Sequence, residues 1–141
     1  MTLTEFLHAR IAEDEAVARS AVGMGAFSRQ TGRWMVGHPR DIHGQSTIVF
    51  ALTDSGARTQ AADLTLAWES AERARHIALH DPARVLAECE AKRRIAEMHR
   101  EGIDADCVLD CDDHMYGPCN TLRALALPFA EHPDYDEAWR L

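Results

Sequence analysis

The sequence predicts an α+β fold, and three observations carry that prediction. Helical periodicity runs from Leu3 to Ala21 and again from Ala71 to His99. Between these stretches lie short segments rich in β-branched and aromatic residues, separated by turn chemistry. Beyond them, a loop crowded with Cys, His and Asp precedes a short C-terminal helical stretch. At 141 residues the chain suits a single domain spanning 1–141, and a chain of that size buries roughly 68–70% of its unfolded surface. It needs no staple merely to fold, so a metal would order a local region.

Thr2-Leu-Thr-Glu5 has the form of a capping box, with Thr2 as N-cap and Glu5 at the third helical position. Leu3, Phe6, Leu7, Ile11, Val17, Ala18 and Ala21 then fall on one face of a helix over 3–21. The acidic run Glu13, Asp14, Glu15 reads as a solvated face, and Gly23 and Gly25 end the helix. A three-stranded antiparallel meander is expected over 33–68, with strands at Arg33–Val36, Ser46–Leu52 and Leu64–Trp68. Leu64–Trp68 can also be read as the start of the next helix. Helices over 71–80 and 82–99 meet at a sharp corner, because Pro82 suits the first helical position and disfavours helical geometry at Asp81. A loop over 100–119 follows. The last segment, 120–141, opens with a short helix that Pro128 stops, and Tyr135 and Trp139 are large enough to pin the tail to the body.

The formal charge of −8, from 15 basic and 23 acidic side chains, argues against generic binding to nucleic-acid phosphates, which leaves a basic footprint. No apolar run approaches the about 20 residues that cross a bilayer. Met1–Ala12 carries Glu5 and lacks a long apolar stretch, so no signal peptide is expected. The expected setting is cytoplasmic, where cysteines serve as thiols or metal ligands in preference to structural disulfides.

The loop offers Cys107-x3-Cys111-x2-His114-x4-Cys119, and His99 stands near the end of the preceding helix. Zinc takes thiolate and imidazole ligands in a tetrahedron, and a closed structural site uses four. Five candidates therefore compete for four places. His99 is preferred over His114 because a helix-borne ligand is rigidly placed and ties the loop to the core. Cys89 shares a helix with His99 and lies ten residues away, a separation of about 15 Å, so it reads as a small buried hydrophobe. A reversible Cys107–Cys111 disulfide and uncommitted thiols are the competing readings.

His76-x3-His80-Asp81 puts two imidazoles one helical turn apart beside a carboxylate. That set can hold a catalytic metal or act as a general base, as in a metal-dependent hydrolase. Asp81 and His80 also have structural uses, as N-cap and as a C-terminal dipole partner. No H-E-x-x-H motif, Gly-rich phosphate loop or nucleophile elbow accompanies them. Lys92, Arg93 and Arg94 form a basic triplet that could touch nucleic acid, although Glu88, Glu90 and Glu97 stand at pairing distance along the helix.

The segments Ala74-Arg-His-Ile-Ala78, His80-Asp-Pro-Ala-Arg-Val-Leu86, Glu90-Ala-Lys-Arg-Arg-Ile95, Pro118-Cys119, Thr121-Leu-Arg-Ala-Leu-Ala-Leu-Pro128 and His132-Pro-Asp-Tyr135 with Trp139 together resemble a family of small actinobacterial and actinophage proteins catalogued as a domain of unknown function. The resemblance implies a helix-end histidine, paired cysteines and a Pro-Cys-x-Thr-Leu-Arg segment, which fall on His99, Cys107, Cys111 and Cys119. Three residues separate the first cysteine pair here where the family has two, which keeps His114 in contention. The family brings no activity with it. The expectation is a structural zinc site in a protein that binds another protein, with a metal-dependent enzyme and a nucleic-acid-binding module as alternatives.

Overall fold

The computed structural model describes residues 1–22, 30–37, 47–63, 70–99 and 119–141. They form an α+β architecture in the order α1 (Leu3–Ala21), β1 (Gln30–Gly37), β2 (Ile48–Thr53), β3 (Arg58–Asp63), α2 (Ser70–Leu79), α3 (Pro82–Met98) and α4 (Asn120–Ala126). Two short 3-10 turns follow, at Leu127–Phe129 and Glu137–Trp139. The chain divides into two compact units, one of Met1–Asp14 with Glu88–Leu141 and one of Glu15–Ala87.

In the first unit the capping box forms as the sequence predicts. The Thr2 amide donates to Glu5 Oε2 at 2.8 Å, and the Glu5 amide donates to Thr2 Oγ1 at 3.1 Å. This satisfies two amides that would otherwise lack helical partners. Leu3, Phe6, Leu7 and Ile11 are fully buried, joined by Cys89, Ala96, Leu122, Ala126 and Trp139. The tail is pinned through its aromatic rings and its backbone. Phe6 packs 5.9 Å from Tyr135 and 5.1 Å from Trp139, centroid to centroid. The Arg123 guanidinium donates to the carbonyls of Trp139 (3.2 Å), Ala138 (3.1 Å) and Arg140 (2.8 Å). At the very end Arg140 hydrogen-bonds Glu137 and holds its carboxyl below the usual carboxylate range. Both groups are exposed to water, so this pair contributes little to stability.

Arg10 is the residue that periodicity alone does not flag. It lies on the apolar face of α1, one turn from Phe6, and is buried. Its guanidinium contacts both ring nitrogens of His132, Nδ1 at 2.7 Å, and donates to Glu13 at 2.7 Å. Asp134 Oδ2 lies 3.8 Å away. A buried cation needs such partners. Within the acidic run, exposed Glu13 pairs with Arg10, and Glu15 pairs with Arg19. Val17, expected on the apolar face, is 69% exposed, and Ala21 is exposed as well.

In the second unit the strands form an antiparallel sheet in the order β1-β2-β3. Strict alternation along β2 buries Val49, Ala51 and Thr53 and leaves Ile48, Phe50 and Leu52 half-buried, as a sheet covered on one face requires. Helix α2 packs against β1 and β2. The third strand is Arg58–Asp63, earlier than the sequence suggests, because the Thr53–Ala57 turn is tight enough to return the chain at once. The Thr53 amide donates to Ala57 O and the Gly56 amide to Thr53 O, both at 3.0 Å, with Gly56 at φ +79°. Leu64–Trp68 lies outside the described residues. Register shifts between Gln30 and Trp34, where Gly32 takes φ +76°. A Cβ there would sit 3.2 Å from Ala83 N and 3.4 Å from Val22 Cγ2. Gly32→Ala is therefore expected to cost about 1–2 kcal/mol, measurable by urea unfolding.

The corner between α2 and α3 is held by Asp81, which is buried. Its Oδ1 accepts the Arg84 amide at 2.8 Å, an N-cap bond, and its Oδ2 accepts the Trp34 amide at 3.3 Å. At the other end of the chain, α4 ends at Ala126, two residues before Pro128, as the sequence predicts. The backbone tightens into the 3-10 turn Leu127–Phe129, where a proline at the first or second position loses no needed hydrogen bond.

Candidate metal centre

Helix α3 carries its register as far as His99, whose amide still donates to Ile95 O at 3.1 Å. That bond fixes the backbone from which the imidazole projects. Twenty residues later Cys119 is the N-cap of α4, with φ −65° and ψ 155°, and its carbonyl accepts the Arg123 amide at 3.1 Å. Its side chain is 1% exposed. Two helix ends thus hold the two side chains, and Cys119 Sγ lies 3.6 Å from His99 Nδ1.

That separation can be compared with ligand geometry. Zn–S bonds of about 2.3 Å and Zn–N bonds of about 2.0–2.1 Å at a tetrahedral angle put the two donor atoms roughly 3.5–3.6 Å apart. The observed distance fits shared ligation of one ion, and it also fits a thiol–imidazole hydrogen bond. Further donors decide between the two. Among the described residues no group of three or more His, Cys, Asp or Glu side chains stands close enough to hold an ion. His99 and Cys119 supply two donors. Cys107, Cys111 and His114 lie outside the described residues. Cys89 is buried within α3, as expected of a small hydrophobe.

The other nominated residues have distinct surroundings. His76 and His80 are exposed, with ring centroids 4.6 Å apart. Asp81, the third member of that corner, spends both carboxylate oxygens on backbone amides, which leaves it poorly placed as a general base. In the basic triplet, Arg94 and Arg93 both pair with Glu90, at 2.8 and 3.5 Å. Glu97 instead faces His8 on α1, Nε2 to Oε1 3.2 Å. The distance is that of an ion pair, although Nε2 makes no well-directed hydrogen bond among the described residues. A cleft of about 500 Å³ in the second unit is lined by Arg19, Val22, Gln30, Thr31, Asp54 and Leu86. It contains none of the nominated donors.

These features define a small α+β protein in which a helix-end histidine meets a helix-capping cysteine. The chain belongs to a family of unknown function (DUF6221), whose model matches residues 1–141. No curated protein and no solved structure matches it. Among the described residues no helix is long and apolar enough to cross a membrane.

Proposed function

We propose that His99 and Cys119 are two of four ligands to a structural zinc ion, that Cys107 and Cys111 complete the set, and that the protein is a cytoplasmic module that binds another protein. The supporting observation is the 3.6 Å approach of Cys119 Sγ to His99 Nδ1 from two helix ends. Soft thiolates with one imidazole suit zinc. A closed set of four protein ligands leaves no coordination position for substrate, so the ion would hold shape. It would tie the segment between α3 and α4 to two rigid anchors. Because α1 and α3 each contribute residues to both compact units, we read 1–141 as one domain.

The choice of a protein partner rests on the acidic charge, on the lack of a catalytic motif, and on the basic triplet, where Glu90 neutralises two of the three cations. A metal-dependent hydrolase at His76, His80 and Asp81 is the weaker reading, because Asp81 is committed to the α2–α3 corner. Metal analysis of the purified protein tests the zinc assignment. Near one zinc per chain is expected in the wild type, lost in Cys119→Ser, Cys107→Ser and His99→Ala and kept in His114→Ala. Zinc retained in His99→Ala and lost in His114→Ala would transfer the imidazole role to His114. No zinc in the wild type would end the proposal.

A further inference from the structure

The second unit carries a pair of imidazoles that the zinc proposal does not use. His76 lies in the last turn of α2, and His80 follows directly after the helix, its amide still donating to His76 O at 3.1 Å. Both side chains are exposed. Their ring centroids are 4.6 Å apart and their planes are inclined at 49°. Apart from each other, neither ring has a hydrogen-bond, ion-pair or aromatic partner among the described residues. The helix fixes the spacing, since residues four apart share a face.

We propose that His76 and His80 form a two-imidazole chelate for a divalent transition cation of tetragonal or octahedral preference, such as nickel(II) or copper(II). The argument is geometric. An imidazole bound through one nitrogen at about 2.0–2.1 Å has its ring centroid roughly 3.2 Å from the ion. Two such rings stand roughly 4.5 Å apart at a right angle and roughly 5.2 Å apart at a tetrahedral angle. The observed 4.6 Å is close to the right-angled spacing, and a right angle is the arrangement that nickel(II) and copper(II) accept more readily than zinc. Neighbouring charges do not close the site. Glu72, one turn before His76, is an exposed carboxylate, whereas Arg73 and Arg75 on α2 and Arg84 on α3 are exposed cations. Arg84 Nη1 donates to Leu79 O at 3.2 Å, and Asp81 is held by its two backbone amides. Among the described residues no third protein donor is in place, so water would fill the remaining positions. The site is labile, open to an outside ligand, and shares no residue with the proposed zinc set.

Titration of nickel(II) into the purified protein tests this, comparing wild type with His76→Ala, His80→Ala and the double variant. Exposed helical positions accept alanine, the best helix former, and circular dichroism checks that each variant folds. Chelation predicts that either single substitution weakens nickel binding at this site by about tenfold or more, because the second imidazole acts at high effective concentration. The double variant, with no imidazole left there, should lose binding at this site altogether. His76→Ala combined with Arg75→His keeps the histidine count but moves one ring off the shared face, and it should fail to restore binding. Cys119→Ser should leave this site unchanged. Single variants that bind as the wild type does, or that lose half of the capacity with the remaining affinity unchanged, would overturn the chelate. So would full binding by the protein with the displaced histidine.

Discussion

Phe6→Ala is expected to destabilise the protein by about 3–5 kcal/mol, the usual cost of truncating a fully buried phenylalanine. Phe6 is 0% exposed. Its ring lies 6.3 Å from Phe129, 5.7 Å from His132, 5.9 Å from Tyr135 and 5.1 Å from Trp139. The Arg10 guanidinium carbon stands 5.3 Å from its centroid. Edge-on aromatic pairs contribute about 0.5–1.5 kcal/mol each beyond area burial, so several contacts fail together. Domains of this kind have only about 5–15 kcal/mol in hand, and a fall in Tm on the order of 10–20 °C should follow. The effect should reach the tail, because Tyr135 and Trp139 lose the surface they rest on. Trp fluorescence and limited proteolysis near residues 130–141 report that directly. A loss below about 1 kcal/mol, well under the normal core cost, would mean that the N-terminal helix and the tail do not share this core.

Asp81→Ala is the second large effect, expected at roughly 2–4 kcal/mol. Loss of an N-cap costs about 0.5–2 kcal/mol, and an amide stranded away from water adds about 1–3 kcal/mol. The cap is the 2.8 Å bond to the Arg84 amide, and the stranded group is the Trp34 amide at 3.3 Å. Asp81→Asn keeps the shape and one carbonyl acceptor, so it should recover about half of the loss. Chemical denaturation of the three proteins measures this. If asparagine is as stable as the wild type, the bond to Trp34 carries no weight.

Both effects lie at places where local sequence signals agree with packing, and those were the legible parts of the fold. Thr2 and Glu5 announce the start of α1, and the reciprocal bonds are present. Asp81-Pro82 announces the corner, because proline suits the first helical turn and excludes helix just before it. What the sequence hid was tertiary. Arg58-Thr-Gln-Ala-Ala-Asp63 has almost no β-branched residues and its side chains from Arg58 to Ala61 are exposed. Its place as an edge strand comes from pairing with β2, which no composition rule encodes. Arg10 is polar by type, yet it is buried because His132, Glu13 and Asp134 converge on it, two of them from more than a hundred residues away. Val17 erred in the opposite direction: it lies on the predicted stripe yet is exposed.

For the metal site, the sequence could nominate donors and argue that a helix-borne histidine is better placed than a loop one. It could not supply the distance between His99 and Cys119, since that depends on tertiary packing and not on spacing along the chain. The buried capping cysteine and the helix-end histidine carry that part of the reading. The His76–His80 pair was visible in the spacing alone. Its exposure and its separation from Asp81's chemistry were not.

The most direct test of the zinc assignment is X-ray absorption at the zinc edge on protein purified without added metal. The expected result is a shell of three sulfurs at about 2.3 Å and one nitrogen at about 2.0–2.1 Å, with the zinc signal gone in Cys119→Ser. A protein that carries no zinc, or a shell of nitrogen and oxygen alone, would contradict it and leave the His99–Cys119 approach as a thiol–imidazole hydrogen bond.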